Sequence, residues 1–330
     1  MKKSIIIYFL ITAFNINAQH IYDQFKERES DVNKNIKEEV VKIKKNYYMI
    51  KPIDAVAGNI GVFVAKDGLV LVDDQWEVTK KHVMKALRKI SNKDIKYIIN
   101  THFHYDHVDG NKAFSKLKIP VISHKNVRKR LSDDATLSSG FIQPKHPKEA
   151  LPSITFEKAL ELDLKGELIE IFHNGSGHTD GDAIIHFKNA DIFHTGDLFV
   201  TYGFPFIDFA NGGSVKGFIN TLDRIIELSN EDSIIIPGHG DLCHKRDVES
   251  LRDKLQHCID EVAKGKKLGK TVDELIEEIH VDLKGGFKEA FFKEVYNRSW
   301  LPLDQIKENK LKKIIILLFY VSYVLGGEVF

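Results

Sequence analysis

The segment Thr101-His102-Phe103-His104-Tyr105-Asp106-His107 limits the folds open to this chain more than any other feature. It places four potential metal ligands within six residues, directly after the apolar run Ile95–Ile99. Two histidines two positions apart at a strand end can point the same way, as alternate residues of a strand do. Asp106 and His107 then turn toward a neighbouring position, so that one short loop could serve two ions. Imidazole and carboxylate together suit Zn²⁺ and other borderline first-row ions. A lone histidine on an apolar face is usually a packed residue, but four ligands at this density after a strand need another explanation. The fold must bring further ligand-bearing strand ends alongside this one.

Three such ends can be read from the chain. His178 lies in Gly175-Ser176-Gly177-His178-Thr179-Asp180-Gly181-Asp182, after a β-run that ends near His173. Asp197 follows the run 191–195, and His239 sits in Pro237-Gly238-His239-Gly240 after the run 233–236. Loops at strand ends are where rigid scaffolds present catalytic groups. His173, His186 and His194 lie in or at β-runs and read as structural. Asp74, Asp180 and Asp182 read as groups that hold ligand imidazoles, Asn211 as either a substrate contact or a turn residue, and Phe204, Phe206 and Phe209 as a cleft wall or core.

The remaining pattern predicts a layered α/β domain. Short β-runs at 60–65 and 69–72 flank Lys66-Asp67-Gly68, a hairpin signal. Helical spacing follows over 77–90, and further β-runs fall at 154–157, 160–164, 168–172 and 183–187. Helices are expected over 110–117, 125–131, 214–229 and 245–264, with more helix to about 298, and 132–152 reads as a surface loop. Strands, a helix, strands again and a helix suggest packed sheets with helices outside.

The His-x-His-x-Asp-His loop at 102–107, the later His178, Asp197 and His239, and Asp73 closing the run Leu69-Val70-Leu71-Val72 resemble the metallo-β-lactamase superfamily. The resemblance covers about residues 47–262 and implies a four-layer αββα sandwich. It implies two Zn²⁺ per chain, with His102, His104 and His178 on one and Asp106, His107 and His239 on the other. Asp197 would bridge them, and Asp73 would brace the metal loop. The best-known zinc β-lactamases have Cys where this chain has Asp197, whereas glyoxalase II-like hydrolases have Asp. That departure weakens the case for efficient β-lactam turnover and leaves metal binding intact, since carboxylate oxygen is a good zinc ligand.

The reaction expected is attack on a carbonyl by a metal-bound hydroxide, since zinc lowers the pKa of its water to roughly 7. Asp106 is expected to orient that nucleophile as well as to ligate. A cyclic amide or ester, β-lactams included, is the expected substrate. A glyoxalase II-like thioester or lactone hydrolase is the alternative, with an iron-dependent oxidoreductase of the same fold behind both. His104 stands where the diiron type of that fold has a carboxylate, which favours zinc.

Composition narrows the partners. Lys plus Arg number 48 and Asp plus Glu 47, for a net charge of +1, so nothing suggests nucleic acid and a small-molecule substrate is expected. Met1-Lys2-Lys3, the apolar stretch 5–14 and Ala18 have the layout of a secretory signal, which predicts a leader over 1–18 and a secreted, periplasmic protein. Beyond it we expect an N-terminal helical extension over 19–45, the metal-binding domain over 46–265 and a C-terminal helical extension over 266–330. The apolar tail 314–325 is short for a membrane span and reads as a docked helix, with membrane-surface contact the minor alternative. Cys243 and Cys258 read as buried thiols, with a disulfide the other option; the sequence does not address oligomeric state.

Overall fold

The computed structural model describes residues 36–53, 55–283 and 285–298. The expected leader, most of the N-terminal extension and the apolar tail lie outside the described residues. Runs rich in Val, Ile and Leu become strands because branched side chains pack well on a pleated surface. The first sheet is built from β1 (Lys37–Lys44), β2 (Tyr47–Ile53), β3 (Ile60–Ala65), β4 (Gly68–Val72), β5 (Ile95–Ile99), β6 (Val121–His124) and, after the small hairpin β7 (Ala135–Thr136) and β8 (Ile142–Gln143), β9 (Ile154–Phe156). The second contains β10 (Ala159–Asp163), β11 (Leu168–Phe172), β12 (Ile184–Phe187), β13 (Ile192–His194) and β14 (Ile234–Ile236).

Strand alternation explains how the first sheet is covered on both faces. Val70 and Val72 join Met49, Phe63 and Ile99 in a cluster with Ile169, Ile171, Ile185 and Ile192 of the second sheet. Leu69 and Leu71 point the opposite way, onto Val83, Ala86 and Leu87 of the helix α1 (Lys80–Ile90). A sheet buried on both faces reads as a continuous apolar run, as β4 does. Each fully buried Val, Leu or Ile contributes about 1.5–3 kcal/mol against exposure, so the sandwich interior is the main source of rigidity beneath the strand ends.

Pairs β4–β5, β5–β6, β6–β9 and β13–β14 are parallel. The carboxyl ends of β4, β5, β13 and β14 lead directly into Asp73, Thr101-His102, Asp197 and Gly238-His239. The short helices α2 (Tyr105–Val108) and α3 (Gly110–Phe114) follow the first ligand loop, α4 (Lys125–Leu131) follows β6, and α5 (Val215–Leu228) begins at Ser214, whose hydroxyl caps Gly217 N–H. Helix α6 spans Lys245–Lys267.

Among the described residues, one compact unit comprises 36–255 with 282–288. The other comprises 256–281 with 289–298 and contains α7 (Val272–Glu278) and most of α8 (Lys288–Arg298). In that second unit Thr271 and Glu274 form a reciprocal capping box, and Leu275, Phe291, Phe292 and Val295 are buried.

Two expectations are corrected. The helical pattern read over 19–45 fails at 37–44, where β1 pairs antiparallel with β2 from Lys37↔Ile53 to Lys44↔Tyr47. The stretch 132–152 is not a simple surface loop, since it carries a hairpin and buries Ala135, Gln143, His146 and Ala150. Cys243 and Cys258 are buried and are not joined to each other in a disulfide. No helix among the described residues is long and apolar enough to cross a membrane.

Candidate metal centre

The seven side chains singled out from the sequence converge. Ligand atoms of His102, His104 and His178 lie within 4.8 Å of one another, as do those of His102, His107 and Asp197, and those of Asp106, His107 and His239. His178 Nε2 is 2.9 Å from His104 Nδ1, and His107 Nε2 is 3.2 Å from His239 Nε2. Asp197 lies between the groups. Its Oδ1 is 3.1 Å from His107 Nε2 and 3.5 Å from His239 Nε2, and its Oδ2 is 3.7 Å from His178 Nε2.

The outward nitrogens of four imidazoles are each held by an acceptor, which decides where the inward lone pairs lie. Thr101 donates its hydroxyl to Asp73 Oδ2 at 2.7 Å and so accepts from His102 Nδ1 at 3.0 Å. His107 Nδ1 donates to Asp73 Oδ2 at 2.9 Å. His104 Nε2 donates to Asp208 Oδ2 at 3.0 Å, and His178 Nδ1 donates to the Phe206 carbonyl at 2.7 Å. In the neutral form of each of these four rings the nitrogen facing the centre is therefore the electron-pair donor. His102 Nε2 is buried there with no hydrogen-bond partner. An orphaned buried acceptor costs about 1–3 kcal/mol, and a cation shared by these nitrogens would relieve it. The donor set fits a divalent metal.

Local backbone explains how the groups are aimed. Asp73 adopts φ 65°, the left-handed region, at the end of β4. There its carboxylate takes Thr101 N–H as well as Thr101 Oγ1 and His107. A non-glycine residue held in that region at a site is a strain that surrounding bonds must support. Gly238 is required by contact, because a Cβ there would lie 1.9 Å from Asp197 Oδ1.

Charge follows burial and neighbours. Burial, reinforced by the neighbouring imidazoles, holds His102 well below the usual histidine range. Burial and His104 bring His178 down to about 4. Burial also opposes the imidazolium of His239, but Asp197 and Asp106 outweigh it and raise it to about 9. His107 is raised in the same way against its burial by Asp197 and Asp106. The Asp197 carboxyl lies well below its usual range, because His239 and His107 outweigh its own burial.

Sequence reasoning placed some neighbours correctly and others not. Asp182 takes Thr179 N–H and Gly177 N–H, shaping the loop that carries His178. Asp180 instead binds Arg130. Asn211 is committed to Arg130, Asp208 and the Thr136 carbonyl, a structural role. Phe204 is core, and Phe206 lies 5.9 Å, centroid to centroid, from both His104 and His178. His244 turns to the Ser233 carbonyl. Asp208 was missed, although a single carboxylate between Ile207 and Phe209 in an otherwise apolar stretch was a usable signal, since an unpaired acid is rarely buried.

The model of the metallo-beta-lactamase superfamily matches residues 53–239, more than half of the chain. The chain belongs to that superfamily. It is a metal-dependent hydrolase with the αββα sandwich of its family. A probable metallo-hydrolase of Methanocaldococcus jannaschii is 33% identical over 181 residues, covering 52% of this chain and 83% of the relative. A hydroxyacylglutathione hydrolase of Pelagibacter ubique is 29% identical over 223 residues, covering 64% and 83%. A linear primary-alkylsulfatase of a Pseudomonas strain is 22% identical over 290 residues and covers 75% of this chain, which spans only 54% of that longer relative. Among solved structures, the DIM-1 metallo-beta-lactamase superposes with a TM-score of 0.54 at 18% identity, over 66% of this chain and 99% of that one. At that identity the likeness speaks for the fold.

Proposed function

We propose that this superfamily member is a two-zinc hydrolase of cyclic amides or esters. His102, His104 and His178 would hold one ion, Asp106, His107 and His239 the other, and Asp197 would lie between them. The observation that carries this reading is the set of inward lone pairs, fixed ring by ring by Asp73, Thr101, Asp208 and the Phe206 carbonyl. When bound, zinc supplies positive charge that acidifies water and polarises a carbonyl. The chain's own part is orientation and proton handling. Asp73 and Asp208 keep the rings from turning. Asp106, with Oδ2 3.2 Å from His239 Nε2 and its side chain 20% exposed, faces the opening, where it orients the attacking water and accepts its proton. We propose, too, that the chain is exported to the periplasm after removal of residues 1–18.

A thioester or lactone hydrolase is the second reading. The carboxylate at 197 and the Pelagibacter ubique relative favour it. A chelator-controlled panel separates them: a chromogenic cephalosporin, a lactone, a thioester and a primary alkyl sulfate, each with and without Zn²⁺. Zn²⁺-restored turnover of the cephalosporin supports the first reading. Turnover of the thioester or the lactone without the cephalosporin selects the second, and turnover of the sulfate alone defeats both. N-terminal sequencing of the periplasmic fraction should begin near Gln19; a mature protein starting at Met1 defeats the export reading.

A further inference from the structure

Phe287 belongs by sequence to the stretch after the catalytic domain, yet it stands beside the metal centre. Its ring is 4.8 Å from Phe206 and 6.2 Å from Tyr202, centroid to centroid. Those two rings lead to the ligands, for Phe206 lies 5.9 Å from His104 and His178, and Tyr202 lies 5.9 Å from His239. Phe206 N–H donates to the Tyr202 hydroxyl at 3.4 Å. Two aromatic rings thus adjoin the two ends of the ligand cluster, and Phe287 packs on both of them. Tyr202 and Phe206 are half-buried, while Phe287 is 41% exposed.

A single exposed phenylalanine means little by itself. This one is held deliberately. Phe287 N–H donates to the Phe204 carbonyl at 3.0 Å, and Phe204 N–H donates to the Gly285 carbonyl at 3.3 Å, a parallel bridge between Phe204 and Gly286. Gly285 and Gly286 have φ of 78° and 70°. A Cβ at Gly286 would lie 2.2 Å from the Phe204 oxygen, so only glycine lets the segment approach this closely. The Gly-Gly-Phe triplet is anchored to the same backbone that presents Tyr202 and Phe206, and it leaves Phe287 partly exposed.

We propose that Tyr202, Phe206 and Phe287 form an apolar subsite that takes a hydrocarbon group attached beside the scissile bond. The subsite rests on the hydrolase reading for its substrate class, since it adjoins the centre proposed to cleave that bond. Its outer wall is contributed by a segment beyond the last metal ligand in the chain. Aromatic faces next to a centre of charged and polar ligands discriminate by chain length, because each methylene moved from water onto them adds a similar increment of binding.

The test is calorimetric titration of the zinc-reconstituted protein with acetohydroxamate and octanohydroxamate, which reads the wall without turnover. The wild type should bind octanohydroxamate at least about tenfold more tightly. Phe287→Ala should reduce that ratio to about twofold, and Phe287→Leu, which keeps an apolar wall, should retain most of it. Circular dichroism confirms that each variant is folded. Absence of a chain-length preference in the wild type overturns the subsite, and absence of binding by both probes counts as that outcome. A preference that survives Phe287→Ala overturns the role of Phe287. If the preference depends on Phe287 but no ester, lactone, amide or thioester is hydrolysed, the subsite stands and the proposed carbonyl substrate class fails.

Discussion

The two halves of the ligand cluster are made of similar atoms in unlike surroundings. The His102, His104 and His178 half is enclosed, with His104 and His178 side chains 6% and 1% exposed. Burial leaves His102 and His178 neutral at ordinary pH. The Asp106, His107 and His239 half opens outward, with Asp106 and His239 each 20% exposed, and its imidazoles take protons from the pull of Asp197 and Asp106. His102 and His178 are preset to receive a cation without releasing a proton. The open half must exchange protons for it, because metal competes with protons for the same lone pairs. The difference teaches that, under the proposed two-zinc reading, the more exposed half is where ion, water and substrate would exchange.

The largest expected effect is on the group common to both halves. Asp197→Ala should drop bound metal below one ion per chain and lower hydrolysis on the order of a thousandfold. Elemental analysis and turnover check it, and two retained ions would mean the halves do not share this carboxylate. Next, Asp106→Ala should lower kcat by about a hundredfold or more while the unfolding midpoint of the metal-free protein scarcely moves. Near-normal turnover would remove Asp106 from proton handling and leave the open half as a binding site only.

The outer carboxylates sharpen the contrast. Asp208→Asn should weaken metal affinity about 10- to 100-fold through His104, and only for the enclosed half. Asp73→Asn should weaken both halves, because Asp73 steers His107 directly and His102 through Thr101. Competition with a metal-sensing dye reads the two affinities, and equal effects of Asp208→Asn on both would collapse the distinction.

The smallest effect is on the stability of chelated protein across pH. His178 is lowered to about 4, so its contribution is complete above pH 6.5 and is lost as pH falls from 6.5 toward 4. His239 is raised to about 9, so its contribution is complete below pH 6.5 and is lost as pH rises through about 9. His178→Gln should flatten the acid limb and His239→Gln the alkaline limb, as followed by thermal unfolding. A single variant that flattened both limbs would show one coupled cluster rather than two halves.

Much of this was legible along the chain because ligands were spaced against strand ends. Residues 102–107 follow the mainly apolar strand Ile95–Ile99, and glycines flank His178 and His239. Strand β1 was misread because Lys37–Lys44 is a half-buried edge strand rich in Lys and Glu. Charges protect such an edge from further pairing and give it the composition of a surface helix. Phe287 was out of reach for another reason. It lies 48 positions after His239 in numbering, and only the bridge at Phe204 brings it back.

What the sequence determined by itself is the chemistry of the centre: nitrogen and carboxylate donors, their order, and their dependence on strand ends. That much is local, since strand alternation and turn glycines act over a few residues. The tertiary structure decided which nitrogen of each histidine faces inward, which half is enclosed, and which aromatic rings lie beside the ligands. Those depend on partners such as Asp208, 104 positions from His104, and such pairings come into being only when the two sheets close over their shared core.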